Sequence, residues 1–568
     1  MASASTGSCV TDKDLLRLLD ESDSDKRSIS SQSDLSVVSD RDYAQDEVIP
    51  DVFEDEANES ASLPTSFSWN RVGNTYRPSK IPFVGQSGPQ KLVDNILDSF
   101  LQIFDSEVID LMCSETNRYA QQFIAKSKPT PHSRINNWRD VTREEMYIML
   151  GIFILMGIIQ KPSVKSYFTK DPFLETPIFS QMMSLDRFQL ISKFLHFVNN
   201  DAEGEFTGPK KIFKVYPIVS HLRSKFQTLY VPDENICIDE SLTLWKGRLG
   251  FKQYIPLKAA KFGIKTFELC ESKSGYLWNF FVYTGSGSDI ICSTNVDDNL
   301  KSSKIVVHLM EPLFSKGYNL WMDNFYNSPY LASLLQKNGV NVAGTLRLSR
   351  KNVPLSVKAK TLKKGEVIAY ESNGIMVMKW RDKRDVAMIS SFHDDGMIER
   401  HIRGVNVSKP KCVHEYNLAM GGVDLKDQKL QPYLVERKRG LKWYIKFFKR
   451  LLNVSVHNAF VLFRARNTDA DHLFFRISLV KALFSANRPQ LGTPTLGRPS
   501  INPPPRRLVE RHFIERIPAT GKKAKPQRRC VVCTKHGKRK ESIYWCSDCG
   551  VGLCFEGCFK TFHTVSDF

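Results

Sequence analysis

The chain has 568 residues, of which 42% are hydrophobic and 25% are charged. This length allows roughly three or four domains with ordinary globular cores, and the composition excludes a wholly disordered or fibrous protein. The net charge is +19, but residues 1–60 carry 16 acidic and 5 basic side chains, so the remaining residues carry +30. A body this basic indicates a polyanionic partner, and we expect that partner to be nucleic acid.

The apolar runs and the first residues of the chain indicate the cellular compartment in which we expect it. The longest apolar run, Met146 to Ile159, has 14 residues, which is short of the roughly 18–20 needed to cross a bilayer. We therefore expect no membrane partner. The first residues lack a basic flank followed by an apolar stretch, so we expect no secretory signal and a reducing compartment. In such a compartment the 12 cysteines are not expected to form a disulfide framework.

Two regions precede the first strand pattern. Residues 1–85 are rich in Ser, Asp and Glu and poor in aromatic residues, so they cannot bury enough apolar surface to offset the entropy of ordering, and we expect disorder. From residue 86 to 233 apolar residues recur at helical spacing. There, Thr142 and Glu145 form a capping box that opens an apolar helix, and residues 187–198 form another helix.

The periodicity changes near residue 235, where strand patterns begin. Three strands come first, and the second and third are joined across a hairpin signal at 271–275. Helices and strands then alternate in the order β-β-β-α-β-α-β, which predicts an α/β unit with a mixed sheet and flanking helices. The predicted strands are 235–245, 261–270, 276–283, 318–322 and 340–346, and the predicted helices are 304–314 and 328–337.

The second half of the chain contains four further segments. Residues 347–411 are strand-like, basic and rich in turns, and they interrupt the unit as an insertion. A helical pattern follows over 417–466. Residues 491–527 form a basic, Pro-rich linker, and residues 528–568 hold half of all the cysteines.

Four aspartates are candidates for a metal site. Asp239 lies within a predicted strand, Asp323 directly follows another, and Asp424 and Asp427 share one face of a helix that starts near Gly422. Neighbouring strands can bring the first two together. Carboxylates that meet at one point repel each other unless cations lie between them, and two Mg²⁺ ions would also bind the attacking and leaving oxygens of a phosphoryl displacement. Each aspartate taken alone is equally compatible with a cap or a turn.

The cysteine-rich end has the spacing of a zinc module. Two C-x-x-C pairs lie 12 residues apart, and a segment of about 40 residues is too small to fold without metal. Eight ligands suffice for two tetrahedral Zn²⁺ ions, although the spacing leaves their pairing open. His536 is the least certain ligand, because an ordinary surface histidine fits its context equally well. The predicted ligands are Cys530, Cys533, His536, Cys546, Cys549, Cys554, Cys558 and His563.

A basic and aromatic stretch near residue 440 is a candidate nucleic-acid surface. Lysines 442, 446 and 449 lie on one predicted helical face and could meet phosphates. Trp443 could stack on an extruded base, or it could pack in a core. The candidate contacts are Arg437, Lys438, Arg439, Lys442, Trp443, Lys446, Lys449 and Arg450. Residues 506–540 carry 13 basic and 2 acidic side chains, and within them Gly521–Arg529 resembles both a nuclear import signal and a DNA-backbone arm.

Several motifs together resemble the piggyBac-type transposases. They occur in the expected order from about residue 85 to the end of the chain, and their combination is highly specific. The motifs are Ile236–Ser241, Trp245–Arg248, Leu269–Tyr276, Met322–Tyr326, Tyr416–Asn417, Met420–Asp424, Asp427–Gln428 and Cys554–His563.

The resemblance implies a fold and a function. It implies an RNase H-like catalytic core over 234–346 and 412–433, interrupted by the insertion. A helical dimerisation and DNA-binding domain would be split around that core, over 86–233 and 434–490. The acidic triad falls on Asp239, Asp323 and Asp424, with Asp427 as an additional acidic position, and would hold two catalytic Mg²⁺ ions.

By the same resemblance, the reaction is cut-and-paste transposition into TTAA targets. The partners would be double-stranded DNA, namely the terminal inverted repeats and the target, and a second copy of the chain. The compartment would be the nucleus, and the two Zn²⁺ ions would stabilise a module that recognises the terminal DNA. The family also includes domesticated relatives, so the alternative is a chromatin-binding protein without transposition activity. A nuclease without strand transfer is a third interpretation.

Overall fold

The structure is a computed structural model, in which the chain divides into two compact units, 1–488 and 489–568. Within the described residues, no helix combines the length and the apolar character needed to span a bilayer. The residues described are 49–50, 66–73, 76–127, 129, 131–255, 261–285, 288, 290–296, 300–402, 405–437, 442–487, 506–509, 511–520 and 523–568.

The first unit begins with a helical region, in which side chains cap the helix N-termini as the sequence predicts. Thr142 accepts a hydrogen bond from the amide of Glu145 at 3.3 Å, and Asn95, Asp105 and Ser184 cap other helices in the same way. The helices are α1 Ile96–Leu101, α2 Ser106–Lys126, α3 Arg143–Ile158, α4 Pro177–Met182, α5 Leu185–Phe194 and α6 Tyr216–Leu229. Short 3₁₀ turns lie at Arg134–Asn137, Lys165–Phe168, Asn200–Glu205 and Lys210–Val215.

Five strands and two helices follow, in the predicted order. The strands are β1 Asn235–Leu244, β2 Phe262–Glu271, β3 Leu277–Val282, β4 Asn319–Met322 and β5 Asn341–Thr345. The helices between the last three strands are α7 Lys301–Met310 and α8 Pro329–Lys337. In the sheet these strands lie in the order β3-β2-β1-β4-β5. Strand β2 is antiparallel to both β1 and β3, whereas β4 runs parallel to both β1 and β5.

The predicted insertion continues this sheet. Its strands β6 Val367–Ser372, β7 Ile375–Arg381 and β8 Asp385–Ser390 join the edge through antiparallel pairing of β5 with β8. A separate hairpin pairs β9 Met397–Ile402 with β10 Val405–Pro410, and the short helix α9 is Leu355–Ala359. The insertion is therefore strand-rich, as predicted.

Part of the segment predicted to be disordered is ordered. The two residues Asn70–Arg71 pair with β6, and the indole nitrogen of Trp69 donates to the carbonyl of Asn352 at 2.9 Å. Phe67 and Phe83 pack against the main hydrophobic core. These aromatic residues anchor a stretch that the average composition of residues 1–85 conceals. Residues 1–48 and 51–65 of the acidic segment lie outside the described residues.

Four helices complete the first unit, namely α10 Lys411–Ala419, α11 Gly422–Leu430, α12 Trp443–Arg464 and α13 His472–Asn487. Helix α11 packs on β1 and β2, and α13 packs on α3. The helical region and the sheet share one continuous hydrophobic core. The two helical regions, although separated by about 200 residues, therefore form a single body with the sheet.

The second unit is small and built around its cysteines. Strand β11, Ile514–Arg516, pairs with β12, Tyr544–Cys546. The helices are α14 Arg506–Val509, α15 Val531–Lys535 and α16 Cys558–Thr564. The described part of this unit thus includes residues 506–509 and 511–520 of the predicted linker.

Candidate active site

The sheet places Asp239 and Asp323 on neighbouring strands. Ile238 of β1 is in parallel register with Met322 of β4, so Asp239 and Asp323 are the next residues along the two strands. Asp239 accepts a hydrogen bond from the amide of Glu240 at 2.8 Å, and Asp323 accepts one from the amide of Phe325 at 2.9 Å. Both aspartates are half-buried.

The turn that carries Asp323 is held by one buried amide side chain. The Nδ2 atom of Asn327 donates to the carbonyl oxygens of Met322 at 2.9 Å, Asp323 at 3.2 Å and Thr345 at 3.0 Å. These bonds join the end of β4 to the end of β5. The position of Asp323 is therefore fixed by backbone contacts as well as by its own carboxylate.

Helix α11 brings Asp424 to the same region. Its first residue, Gly422, lies so close to the sheet that a Cβ atom there would be 2.7 Å from the carbonyl oxygen of Glu271 and 2.8 Å from the sulfur of Cys237. Burial raises the pKa of the Cys237 thiol to about 12, and the charges of Asp239 and Asp424 add to this rise. Both carboxylates thus lie near this one thiol, while Asp424 itself is exposed.

Two further residues, Glu240 and Tyr416, interact electrostatically with the aspartates. Burial raises the pKa of Asp323, the amide of Phe325 opposes the rise, and the neighbouring charge of Glu240 adds to it. Burial raises the pKa of Tyr416 to about 12, and both Asp323 and Asp239 contribute. Tyr416 is therefore a neutral phenol beside two carboxylates. Glu240 adjoins Asp239 in sequence and Tyr416 begins one of the motifs, but neither has a spacing signal that assigns a role.

The three aspartates surround this site without forming one tight cluster. Among the described residues, their ligand oxygens are not all within 4.8 Å of one another. Like charges repel when no cation lies between them, and the Glu240 and Phe325 amides orient two of the carboxylates. Carboxylate oxygens are ligands of the kind that Mg²⁺ prefers, so Asp239, Asp323 and Asp424 remain candidate ligands.

Asp427 is engaged differently from the other three aspartates. Its carboxylate accepts hydrogen bonds from Ser241 Oγ at 2.9 and 3.2 Å and from Arg450 Nη2 at 2.5 Å. Lys426 Nζ lies 3.0 Å from the same carboxylate. Burial alone would raise the pKa of Asp427, but Lys426 and Arg450 hold it well below its ordinary value.

The predicted DNA contacts near residue 440 divide into three groups. Lys438, Arg439 and the side chain of Arg437 lie outside the described residues. Lys442 donates to the carbonyl of Lys193 at 2.7 Å, and the half-buried Trp443 packs edge-to-face on Phe251, 5.3 Å between ring centroids.

The other members of that set point inward. Burial lowers the pKa of Lys446 and lowers that of Lys449 to about 8, and Lys449 lies 4.3 Å from the ring centroid of Phe153. Arg450 is buried and bonded to Asp427. The prediction that Arg450 contacts DNA is therefore wrong, because this face of α12 packs against the core.

The second unit gathers its cysteines and histidines into two clusters. One cluster contains Cys530, Cys533, Cys554 and Cys558, and the other contains His512, Cys546, Cys549 and His563. Cys533 is 3.9 Å from Cys554 and 3.6 Å from Cys558 between sulfur atoms. The histidine nitrogens of the second cluster lie 3.5–3.6 Å from its sulfurs. With the bond lengths of tetrahedral Zn²⁺ sites, two sulfurs lie about 3.8 Å apart, and a sulfur and a nitrogen lie about 3.5–3.6 Å apart.

The structure corrects one predicted zinc ligand. His536 is exposed and lies outside both clusters, because the helix α15 that follows Cys530 ends there. His512, which lies 34 residues before Cys546, takes the fourth position. No spacing rule links His512 to the cysteines, so the sequence offered no signal for it. The clusters interleave along the chain, a pairing that the spacing left open.

Comparison with known proteins identifies relatives over most of the chain. A family model described as "Transposase IS4" matches residues 97–460. The chain is 29% identical over 396 residues to human PiggyBac transposable element-derived protein 2, covering 66% of this chain and 63% of that protein. It is 26% identical over 486 residues to human PiggyBac transposable element-derived protein 3, covering 83% and 76%, respectively. The chain thus spans less than two thirds of the length of the first relative.

A solved structure shares the fold. Its title describes a cryo-EM structure of a piggyBac transposase synaptic complex with hairpin DNA. The TM-score is 0.64 at 22% identity, over 84% of this chain and 100% of that chain. The family model covers more than half of this chain, and the relatives and the solved structure are of the same type. The chain therefore belongs to the piggyBac-type transposase family.

Proposed function

We propose that this protein is a metal-dependent DNA transposase that cuts an element from one site and joins it to another. The observation that carries the proposal is the parallel register of Asp239 and Asp323, with helix α11 seated beside them and carrying Asp424. A protein that only binds DNA would not need three carboxylates around one site. The human relatives are named as derived from transposable elements, and the solved structure is named as a complex with hairpin DNA.

The topology supports an RNase H-like core. Its five strands lie in the order 3-2-1-4-5, with an antiparallel first half and a parallel second half. In this arrangement the first carboxylate lies on the central strand, the second lies at the end of the adjacent strand, and the third lies on a later helix. Asp239, Asp323 and Asp424 occupy these three places.

The donor set fits Mg²⁺. Asp239, Asp323 and Asp424 would hold two ions, since carboxylate oxygens are hard ligands. When bound, such a pair activates the attacking oxygen and stabilises the leaving oxygen of a phosphodiester. The chain's own contribution is orientation, because the amides of Glu240 and Phe325 fix two of the carboxylates. The neutral hydroxyl of Tyr416 adds no further negative charge to the site.

The two clusters of the second unit fit Zn²⁺ in number, type and spacing of ligands. We infer that the four cysteines hold one ion and that two cysteines with His512 and His563 hold the other. The metal would stabilise a unit whose apolar core is small. The basic residues between 506 and 540 suit this unit to the terminal DNA of the element.

The remaining parts of the proposal follow from the family. They are TTAA target sites, terminal inverted repeats as the second DNA partner, action as a homodimer, and a nuclear location. The net charge of +30 outside residues 1–60 supports binding to DNA through its phosphates.

An excision and integration assay tests the proposal. A donor plasmid would carry a marker between inverted repeats bordered by TTAA, with the wild-type chain or Asp323→Ala supplied separately. We expect excision and integration with the wild type and neither with the variant. Excision without integration would indicate a nuclease. Neither activity, with DNA binding retained, would indicate a domesticated DNA-binding protein.

A further inference from the structure

A buried ionic network lies beneath helix α11. Lys426 forms an ion pair with Glu268 of β2 and lies 3.0 Å from Asp427. Asp427 continues the network to Arg450 of α12 at 2.5 Å. Arg450 in turn lies 3.6 Å from Glu436. Five charged side chains are thus connected, and four of them are at most 10% exposed.

The network joins three of the elements around the aspartates. Ser241, two residues after Asp239 on β1, donates to Asp427 and also receives a hydrogen bond from Arg450 at 3.2 Å. One carboxylate therefore links the strand of Asp239, the helix of Asp424 and the long helix α12. A shift of α11 relative to β1 would break several charge-assisted hydrogen bonds at once.

The surroundings of Asp427 do not suit a metal ligand. Its Oδ1 atom already faces Arg450 Nη2 and Lys426 Nζ, and its Oδ2 atom faces Ser241 Oγ. Two fixed cations repel a divalent ion and satisfy the carboxylate charge without it. Asp424, one helical turn earlier, is exposed.

We propose that Asp427 and Arg450 are positioning residues, which hold α11 in register with β1 so that Asp424 faces Asp239, and that Asp427 binds no catalytic metal ion. The inference rests on the proposed function for its metal site. The structural part of the inference, that Asp427 and Arg450 hold α11 against β1, does not depend on that function. An assay of activity, metal binding and helix dynamics on the same variants therefore separates the two.

The experiment compares Asp427→Asn and Arg450→Lys with Asp424→Asn in the full chain. Mn²⁺ binding is measured by calorimetry, and nicking of supercoiled plasmid DNA is followed with Mg²⁺. We expect Asp427→Asn to lower the nicking rate by about 10- to 100-fold, while it weakens Mn²⁺ binding less than Asp424→Asn does. Asp424→Asn should weaken Mn²⁺ binding at least about 10-fold.

Hydrogen exchange of the α11 amides distinguishes a positioning residue from a metal ligand, because loss of a metal ligand would leave the exchange rates unchanged. Asp427→Asn and Arg450→Lys should accelerate exchange over residues 422–430, whereas Asp424→Asn should not. Ser241→Ala serves as the milder variant if Asp427→Asn fails to fold, and it should accelerate the same amides. The inference is overturned if Asp427→Asn weakens Mn²⁺ binding as much as Asp424→Asn, or if α11 exchange is unchanged. A wild type that neither binds Mn²⁺ nor nicks DNA would refute the proposed function, while the exchange data still decide the seating of α11.

Discussion

The close approach of Gly422 to the sheet allows a specific prediction, and the adjacent Gly421 provides the control. A Cβ atom at Gly422 would be 2.7 Å from the backbone oxygen of Glu271, whereas ordinary contacts begin at 3.4 Å. The first turn of α11 would therefore have to move by about 0.7 Å, since a strand oxygen cannot rotate away. A Cβ atom at Gly421 would meet nothing within 4 Å.

The magnitude follows from two opposing effects. Overpacking costs about 1–3 kcal/mol, and the better helix propensity of alanine returns at most about 1 kcal/mol. We expect Gly422→Ala to lose about 1–2 kcal/mol of stability. Gly421→Ala should stay within about 0.5 kcal/mol of wild type. Displacement of Asp424 should also reduce DNA nicking by about 10- to 100-fold in Gly422→Ala alone.

Urea unfolding followed by circular dichroism, together with plasmid nicking, measures both effects. If Gly422→Ala and Gly421→Ala unfold at the same urea concentration and nick DNA at the same rate, then α11 is not seated as described. The explanation of how Asp424 reaches the site would then fail.

Three further predictions test other parts of the molecule. Asn327→Ala leaves three carbonyls without their donor, so it should lower the free energy of unfolding by about 1–3 kcal/mol, measured in urea, and slow DNA nicking. An equal loss of stability in Asn324→Ala, which changes an exposed residue, would contradict this role. Burial lowers the pKa of Lys449 to about 8, so the unfolded chain binds more protons between pH 8 and 10.5 and stability rises with pH there. Lys449→Met should therefore stabilise the protein at pH 7, by at most about 3 kcal/mol, with a smaller gain at pH 9.5; an equal gain at both values would refute the assignment. A zinc-selective chelator should release two Zn²⁺ per chain and accelerate proteolysis after residue 505, while the first unit keeps its helix content. Loss of that helix content would contradict the division into two units.

The sequence predicted the central strands and helices closely, because their signals are local. The capping box at Thr142 sets the start of α3, and the hairpin signal at 271–275 separates β2 from β3. The helix predicted over 187–198 begins at Leu185 and ends at Phe194. Residues 195–198 are buried but lie outside the helix, so their apolar spacing reflected the core rather than a helix.

The features that the sequence did not predict depend on contacts between distant residues. His512 joins its cluster from a segment with no spacing signal. The basic pattern of α12 suggested a DNA surface, but Arg450 faces Asp427 because α12 packs against α11. A charged residue on a helix has the same pattern whether it meets solvent or an internal partner. The distinction therefore required the tertiary structure.

The central claim is that Asp239, Asp323 and Asp424 together hold the divalent ions that the reaction uses. Anomalous diffraction from crystals of the protein grown with Mn²⁺ and DNA tests this claim most directly. We predict anomalous peaks between these three carboxylates and none at Asp427. Mn²⁺ bound at Asp427, or bound away from the other three aspartates, would contradict the account.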